Sequence, residues 1–540
     1  MDLQEFEDTR FDLESLDSEP RLGRRQFLIA GLATGVAATA LPNYAAIARK
    51  RRIPVAKSGT FPLGVASGFP YPKGTILWTK LGGHEHTSRL KLQVAKDRHF
   101  KNVVLESTVT ARKERDLTAR ARIRGLQPAH EYFYRFHTKD KGSPVGRFRT
   151  APPHDSNTPL RIAFLSCQSY EAGFYNAQAA IAKEPDLDMV LHLGDYIYES
   201  HYYDGARKDT SGFNHDGNVE FLPEYRQKYN LYKGDPDLQA MHAAHNFVAV
   251  WDDHEVEDNY ADGLASSHAQ PGLTNNGLPR RISIQERRAN AYQAYFNYMP
   301  RLRFDGDRDR IYEHVRIGKL VDLILTDERQ YRNQQPCDDG QLVPCPDEQN
   351  PNRTMLGPKQ KAWFKQTLAG SPQTWKLWAN EVMLMGFQTA PQNGANNDQW
   401  DGYAAERREL LEFALANNVK NLLPLTGDIH NFFTGTATTD GSDGGTPVCG
   451  EFVGGSTTSH GLPEETGISS GTIKALITAL DHHINYVDLD NRGYAVLEVT
   501  PSQATCEFKK VQIQSRDGGQ ASSMAKFVLP SGSTAPQQVS

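Results

Sequence analysis

Apolar and polar positions along this chain change their period near residue 150 and so predict two regions of different architecture. Between 59 and 150, short alternating runs separated by turns include Thr75–Trp78, Leu90–Val94, Thr118–Ile123 and Tyr132–Phe136. Period-two alternation at this spacing predicts a β-sandwich. From 160 to 512, short apolar runs alternate with helical stretches, which predicts a layered α/β domain. The expected fold class is therefore α/β, with an N-terminal β-sandwich.

Several shorter segments complete this organisation. A Pro-rich polar stretch at 151–159 predicts a linker. The segment His201–Lys233 has no clear period and is expected to be a long loop, either bordering a functional site or forming a surface insertion. A C-terminal tail is expected at 513–540. Its part Gly518–Ser540 is rich in Gly, Ser, Gln and Pro and is expected to be poorly ordered, with Ala525–Leu529 able to dock. Five helical stretches are expected, at Gln178–Lys183, Leu238–His245, Ser283–Tyr298, Pro358–Leu368 and Tyr403–Asn417.

Composition and charge narrow the class of protein. A chain of 540 residues with 38% hydrophobic content is globular and long enough for two or more domains. The formal charge is -5, but residues 1–48 hold eight acidic and four basic side chains, so the remainder holds 57 acidic and 56 basic residues. A near-neutral body has no electrostatic footprint for nucleic acid. Nucleic acid is therefore not an expected partner.

The first 48 residues have the pattern of an export signal. Arg24 and Arg25 precede an uncharged apolar stretch, 29–41, which is followed by the small-x-small sequence Ala46-Ile47-Ala48. This segment resembles a twin-arginine signal peptide (1–48), which would make the twin-arginine translocation machinery a partner. The alternative is a membrane anchor, but thirteen apolar residues fall short of the roughly 20 that span a bilayer. We expect an exported chain, periplasmic or extracellular, with no stable membrane span after cleavage.

The five cysteines suit an oxidising compartment. Cys337 and Cys345 lie close together in a polar loop, and Cys449 and Cys506 are placed to bridge two C-terminal strands, which leaves Cys167 alone. The alternative is that all five are free or paired otherwise, since connectivity cannot be read from sequence.

Four apolar, β-like runs each end in a turn that carries a reactive side chain. Three of these runs, 188–198, 246–255 and 420–430, end in acidic or histidine-bearing turns, and the run 160–167 ends in Cys167. Open α/β sheets place their chemistry just beyond the carboxyl ends of the strands, so the four turns are expected to converge on one crevice. Carboxylate, thiolate, phenolate and imidazole gathered there indicate a metal site.

These turns also carry a family resemblance. In order along about 370 residues, the chain resembles the PhoD-type alkaline phosphatase and phosphodiesterase family at Leu63-Gly-Val-Ala-Ser-Gly68, Ser166-Cys167-Gln168, Gly194-Asp-Tyr-Ile-Tyr-Glu199, Trp251-Asp-Asp-His-Glu-Val256, Arg329-Gln-Tyr-Arg332, Ala379-Asn-Glu-Val382 and Gly427-Asp-Ile-His430. The resemblance implies a calcineurin-like metallophosphoesterase domain (160–512), layered α/β/β/α, with a ferric ion and calcium. The sandwich resembles a fibronectin type III-like domain, in which a tyrosine, here Tyr132 or Tyr134, braces a corner.

The resemblance implies roles for the reactive side chains in these turns. Sulfur, phenolate and imidazole ligands favour Fe(3+), and purely oxygen ligands favour Ca(2+), with Asp195 placed to bridge both. His254 is expected to steady developing charge or protonate the leaving group, and Arg329 to clamp phosphate. The expected metal ligands are Cys167, Asp195, Tyr198, Asp253, Asn380, Asp428 and His430.

Six of these residues also have a structural interpretation. Asp195, Asp428 and His430 could form turns or helix caps, and Cys167 could be a small buried hydrophobe. Asn380 could satisfy backbone groups in a turn. Arg329 could form a surface ion pair, and Glu328 beside it departs from the family pattern, in which Thr is more frequent at this position.

The expected function is an exported, monomeric phosphatase or phosphodiesterase that hydrolyses phosphate esters by attack of a metal-held hydroxide on phosphorus. One alternative is an exported metal-containing protein that binds a polymer without turnover. Another is a redox iron protein, which is disfavoured because the sequence has no Fe–S spacing, haem attachment motif or dinucleotide fingerprint.

Overall fold

The structure is a computed structural model that describes residues 53–266, 269–274, 276–339, 345–390, 393–394 and 396–540. The expected signal segment, with Arg24 and Arg25, lies outside the described residues. No helix within the described ranges is both long and apolar enough to cross a bilayer.

The N-terminal region is built from seven strands whose alternation matches the sequence pattern. On β3, for example, Leu90, Leu92 and Val94 face the sandwich core while the residues between them face outward. Tyr132 accepts a hydrogen bond from the backbone N–H of Gln127 (3.1 Å), as expected for a tyrosine that braces a corner. The strands are β1 (Val65–Ser67), β2 (Thr75–Lys80), β3 (Ser88–Ala95), β4 (Val103–Ala111), β5 (Thr118–Ile123), β6 (Glu131–His137) and β7 (Gly146–Arg149).

Strands and helices alternate through the next part of the chain. Its elements are β8 (Leu160–Leu165), α1 (Asn176–Ile181), β9 (Met189–Leu193), α2 (Leu222–Lys233), α3 (Pro236–Ala244), β10 (Asn246–Val250), α4 (Ile284–Tyr298), β11 (Glu313–Ile317), β12 (Val321–Leu325), α5 (Gly357–Gly370) and β13 (Trp375–Asn380).

The remaining elements add the second half of the fold. They are β14 (Gln388–Ala390), β15 (Asn393–Gly394), α6 (Ala404–Ala416), β16 (Leu422–Thr426), β17 (Phe432–Thr438), β18 (Pro447–Val453), α7 (Leu462–Thr466), α8 (Ser470–Leu480), β19 (Ile484–Asp488), β20 (Arg492–Val499), β21 (Gln503–Val511), β22 (Ser522–Pro530) and β23 (Gln537–Gln538).

Two large sheets pack face to face, with helices on their outer surfaces. The first sheet has the order β23-β22-β21-β20-β8-β9-β10-β1-β2-β5, and the second has the order β11-β12-β13-β16-β18-β17-β19. One apolar cluster fills the space between the sheets and continues under α1 to α4, and another lies between the second sheet and α5, α6 and α8. The chain therefore has the expected layered α/β fold.

The β-sandwich shares a sheet with the layered domain. Strands β4, β3, β6 and β7 form its separate sheet, whereas β1, β2 and β5 continue the first large sheet through a parallel pairing of Ser67 in β1 with Asn246 in β10. Trp78 of β2 donates a hydrogen bond to the carbonyl of Asn297 at the end of α4 (2.9 Å). The two regions are therefore joined by backbone hydrogen bonds as well as by side chains.

Three expectations from the sequence are corrected by the structure. Helix α2 lies inside the segment expected to be a loop, because polar side chains such as Glu224 and Lys228 occupy its buried face and hide the period. The tail expected to be poorly ordered instead contributes β22 and β23 to the first sheet, and the expected docking of Ala525–Leu529 is confirmed because these residues lie in β22. Cys337 and Cys345 form a disulfide, but Cys449 and Cys506 do not, since they lie on different sheets and in different apolar clusters.

Candidate metal centre

Four turns at the carboxyl ends of strands bring the candidate ligands together. Cys167 follows β8, Asp195 and Tyr198 follow β9, Asp253 follows β10, and Asp428 and His430 follow β16. In the first large sheet β8, β9 and β10 are adjacent parallel strands, so the turns that follow them lie side by side. We call these six residues the metal-ligand cluster; it contains Cys167, Asp195, Tyr198, Asp253, Asp428 and His430.

The backbone of these turns is bent into a conformation that few residues adopt. Cys167, Asp195, Asp428 and His430 all have φ between 55° and 60°, in the left-handed region. Such conformations cost free energy and persist where the surrounding structure enforces them, often at functional sites. Gly194 is required beside Asp195, because a Cβ at this position would overlap the side chain of Asp252.

The first half of the cluster offers mixed donors. One potential ligand atom from each of Cys167, Asp195 and His430 lies within 4.8 Å of the others. The Tyr198 hydroxyl donates to Asp195 Oδ2 (3.1 Å), lies 3.0 Å from His430 Nε2, and accepts a hydrogen bond from Ser459 (2.7 Å). Sulfur, phenol oxygen, carboxylate and imidazole form the donor set expected for a transition metal.

The second half offers mainly carboxylate oxygens. Asp252, Asp253 and Asp428 bring one carboxylate oxygen each within 4.8 Å of one another, and Asp195 forms a further group with Asp253 and a ring nitrogen of His254. Asp252 Oδ2 is buried and lacks a hydrogen-bond partner. A group of carboxylates of this kind suits a hard cation such as Ca2+. The residues present therefore fit a two-metal site in which Asp195 belongs to both halves.

Burial and crowding determine the pKa values in the cluster. Burial raises the pKa of Asp195 well above its usual range, and the charges of Asp253 and Asp428 add to this rise. Burial and the nearby Asp195 carboxylate likewise raise the pKa of the Cys167 thiol and of the Tyr198 hydroxyl. These groups ionise readily only beside a positive charge, which is the condition that a bound cation supplies.

His254 lies at the edge of the cluster with one ring nitrogen engaged. Its Nδ1 is 2.9 Å from Glu199 Oε2, and its ring stacks on Tyr198 with centroids 4.0 Å apart. Burial alone lowers the pKa of His254, but the carboxylates of Asp195, Asp253 and Glu199 outweigh it and raise the pKa well above the usual value. Nε2 is 3.9 Å from Asp258, beyond hydrogen-bond distance.

A cavity of about 950 Å³ opens onto the cluster. Asp195, Asp253, His254, Asp428 and His430 form its inner end, and one outer wall is apolar. That wall is formed by Phe387, Ile429, Leu462, Ile468, Ile473 and Leu476. The cavity volume lies in the range of pockets that bind small ligands.

Arg329 and Asn380 are near this centre but are engaged by other side chains. The Arg329 guanidinium is fully buried, pairs with Asp252, and lies 2.6 Å from Asp398 and 2.7 Å from Asp428. The Asn380 carbonyl accepts from Trp400 (2.9 Å), and its amide donates to Thr426 (3.0 Å). Phosphate binding by Arg329 and metal binding by Asn380 stay predictions. The alternative of a surface ion pair is wrong for Arg329, because its guanidinium is buried and its ion pairs lie inside the fold.

Two carboxylates that are not among the expected ligands support the turns. Glu255 accepts backbone hydrogen bonds from Asp195 (3.0 Å) and Asp252 (2.7 Å), and so ties the turn after β9 to the turn after β10. Asp398 joins Arg329 to Arg332 at 2.6 Å each. Glu255 lies within the motif Trp251–Val256, so the sequence contained a signal for its role. Asp398 lies outside the motifs, and no comparable signal marked it.

Comparison with known proteins decides the family. A model of the PhoD-like phosphatase family matches residues 162–508, and a model of the N-terminal domain of PhoD-like phosphatases matches residues 47–152. The chain belongs to the PhoD-like phosphatase family. Membership confirms the family resemblance seen in the sequence, and it identifies the protein as a phosphoester hydrolase. The side-chain clusters described above are groups that could hold metal ions.

Individual proteins support the same family and the same fold. The chain is 34% identical over 565 residues to alkaline phosphatase D of Bacillus subtilis (strain 168), covering 99% of this chain and 93% of the relative. A solved structure of PhoD is 31% identical, with a TM-score of 0.78, and covers 93% of this chain and 94% of that one. Purple acid phosphatase PPD1 from yellow lupin seeds, at 13% identity and a TM-score of 0.53 over 86% of this chain and 73% of that one, shares the fold.

Proposed function

We propose that this PhoD-like phosphatase is an exported, monomeric enzyme that hydrolyses phosphate monoesters or diesters with the help of iron and calcium. The observation that carries the proposal is the juxtaposition of mixed sulfur, nitrogen and oxygen donors with a group of carboxylates around the shared Asp195. Cys167, Tyr198 and His430 would hold the Fe(3+) ion with Asp195. Asp253 and Asp428 would hold Ca(2+), with Asn380 as a further predicted ligand.

When bound, the metals would supply Lewis-acid chemistry, polarising phosphoryl oxygens and lowering the pKa of the water molecule that attacks phosphorus. The residues of the chain prepare the site for this chemistry. Glu255 and the left-handed turns fix the direction of the ligands, so that little reorganisation is needed during the reaction. Arg329 holds Asp252, Asp398 and Asp428 around one buried positive charge.

His254 is the proposed proton donor to the leaving group. Glu199 holds Nδ1 and so fixes both the tautomer and the ring plane, which directs Nε2 away from this hydrogen bond. The histidine also lines the cavity beside Asp195 and Asp253. A general acid must lie within hydrogen-bond distance of the oxygen that it protonates, and the position of His254 in the cavity lining supports this role.

One experiment tests the proposal directly. Iron and calcium are measured in the purified protein, and the hydrolysis of p-nitrophenyl phosphate and bis(p-nitrophenyl) phosphate is followed before and after chelation. We expect both metals to be present, at least one ester to be hydrolysed, and activity to fall with metal removal and return when both metals are added. Metal-loaded protein that is inert toward both esters would favour a binding protein, and full activity after complete metal removal would contradict the metal mechanism.

A further inference from the structure

A second cavity, of about 470 Å³, lies between the β-sandwich and the end of α4 and has a strongly basic lining. Strands β3, β4 and β5 supply one side, and α4 with the loop that follows it supplies the other. Among the described residues this lining includes one carboxylate, from Glu114. It includes seven arginines, Arg89, Arg112, Arg115, Arg120, Arg122, Arg303 and Arg308.

The alternation of β5 explains how two of these arginines reach the cavity. Ala119, Ala121 and Ile123 point into the sandwich core, so Arg120 and Arg122 point to the opposite face. Arg120 donates to the carbonyls of Phe296 and Arg301 and is thereby fixed in place.

Arg122 is also held by its surroundings. Its guanidinium lies 4.8 Å from the centre of the Tyr71 ring. Its Nε is buried and has no hydrogen-bond partner. One wall of the cavity is therefore rigid and retains an unused donor.

The charge balance of this cavity differs from that around the buried Arg329. Arg329 is surrounded by the carboxylates of Asp252, Asp253, Asp398 and Asp428. The carboxylate in the basic lining, Glu114, lies 3.5 Å from Arg112, and its side chain is 62% exposed. Arg303 lies 3.7 Å from Asp309, a half-exposed carboxylate outside the lining. Like charges held close together cost free energy, which an anion placed between them would offset.

We propose that this basic cavity binds an oligoanion that carries several phosphate or sulfate groups. Guanidinium groups bind the oxygens of phosphate and sulfate in pairs, and the hydroxyls of Thr108 and Thr110 supply neutral hydrogen bonds. A single phosphate cannot contact arginines on every side of a cavity of this size, whereas a ligand with several anionic groups can. The volume also matches pockets that hold ligands of drug-like size.

This anion site is separate from the metal centre. The two cavities share no lining residue. Strand β5 is three strands from β10 in the first sheet, which corresponds to roughly 15 Å across the sheet. The inference is therefore independent of the proposed mechanism, and its failure would leave the phosphatase proposal standing.

Calorimetric titration of the metal-loaded, full-length protein with sucrose octasulfate tests this inference, because the probe contains no phosphate ester for the enzyme to hydrolyse. The variant Arg112→Gln/Arg122→Gln removes two charges from the cavity. The matched control Arg98→Gln/Arg316→Gln removes two charges from exposed positions elsewhere. We expect saturable binding at one site, weakened at least tenfold in the cavity variant and less than threefold in the control.

Two further measurements distinguish loss of anion binding from loss of folding. Hydrolysis of p-nitrophenyl phosphate at the wild-type rate reports that each variant is folded. If the double variant is not folded, Thr110→Glu places a carboxylate in the cavity without removing an arginine, and it is expected to weaken binding to the same degree. Absence of saturable binding, or equal weakening in the cavity and control variants, would overturn the inference.

Discussion

Single residues determine which metal the cluster can hold. Cys167 is the one sulfur donor in the metal-ligand cluster, and the turn after β8 fixes its position beside Asp195 and His430. A thiolate favours a transition metal, whereas a hydroxyl at the same place is a weak, neutral ligand. The identity of this side chain should therefore affect metal content more than it affects the fold.

We predict that Cys167→Ser lowers bound iron at least tenfold, measured by inductively coupled plasma mass spectrometry on protein purified in the same way. The matched control is Cys449→Ser, which changes an equally buried cysteine in the apolar cluster on the outer side of the second sheet. That control should keep its iron and lose about 1 kcal/mol of unfolding free energy. Equal iron in both variants would remove Cys167 from the ligand set.

His254 should affect the chemical step while leaving the metals in place. We predict that His254→Ala retains both metals and lowers kcat for p-nitrophenyl phosphate about 100-fold, within the range for loss of a general acid. The loss should be greater for an alkyl phosphate, because an alkoxide leaving group needs the proton more than p-nitrophenolate does. The exposed His215→Ala serves as control. A loss that is the same for both leaving groups would contradict proton donation.

At the scale of elements, the sequence predicted the strands that lead into the candidate metal centre well and their long-range partners poorly. Strands β8, β9, β10 and β16 were visible as apolar runs, and the turns after them were visible as motifs. Helix α2 was missed because its buried face contains polar residues. The pairing of Cys449 with Cys506 was wrong because a strand pattern does not state to which sheet a strand belongs.

The site could be predicted only as far as short motifs reach. Asp195, Tyr198 and Asp253 stand in turns with recognisable spacing. The four carboxylates around Arg329 come from three segments, at Asp252 and Asp253, at Asp398 and at Asp428, which meet only in the folded chain. A role that depends on contacts between segments distant in sequence cannot be predicted from a local sequence pattern.

The Glu255 carboxylate links two elements of the metal centre. We predict that Glu255→Gln lowers the unfolding free energy by about 3 kcal/mol and reduces metal content, because an amide group would face backbone N–H donors with a donor of its own. Urea denaturation and metal analysis measure the two effects. Glu451→Gln removes a comparable buried anchor for the N–H groups of Leu384 and Met385, and it should cost stability while the metals remain. Unchanged metal content in Glu255→Gln would contradict the linking role.

At the scale of the whole molecule, the contact between the β-sandwich and the layered domain contains an unusual lysine. Lys233 is buried, its Nζ lies 4.7 Å from the centre of the Trp78 ring, and its hydrogen-bond partners are Tyr196 and His242 (3.2 and 3.3 Å). Burial lowers the pKa of Lys233 to about 7. The folded protein therefore binds fewer protons than the unfolded chain between pH 7 and the ordinary lysine pKa, about 10.4.

This difference makes stability rise with pH across that interval. We predict that Lys233→Met increases the unfolding free energy by about 2 kcal/mol below pH 7, and that the gain shrinks toward zero as pH approaches 10.4. Urea denaturation at several pH values measures it. Lys228→Met is the contrasting control, because Lys228 pairs with buried Asp209 (2.6 Å) and its loss should destabilise the protein. A gain in Lys233→Met that does not depend on pH would contradict the prediction.

Export should depend on the paired arginines. We predict that Arg24→Lys/Arg25→Lys leaves the phosphatase active but inside the cell, because twin-arginine recognition requires the guanidinium pair. Activity in exported and intracellular fractions measures this, with Arg10→Lys/Arg21→Lys as the matched control. Normal export of the first variant would contradict the signal assignment.

The pairing of β1 with β10 has a consequence for synthesis on the ribosome. Ser67 emerges roughly 180 residues before the neighbour that completes its sheet. Until then the nascent sandwich presents an open strand edge, the feature through which partly made chains associate with one another. Translation pauses before residue 246 should therefore be the stage at which this protein depends most on chaperones.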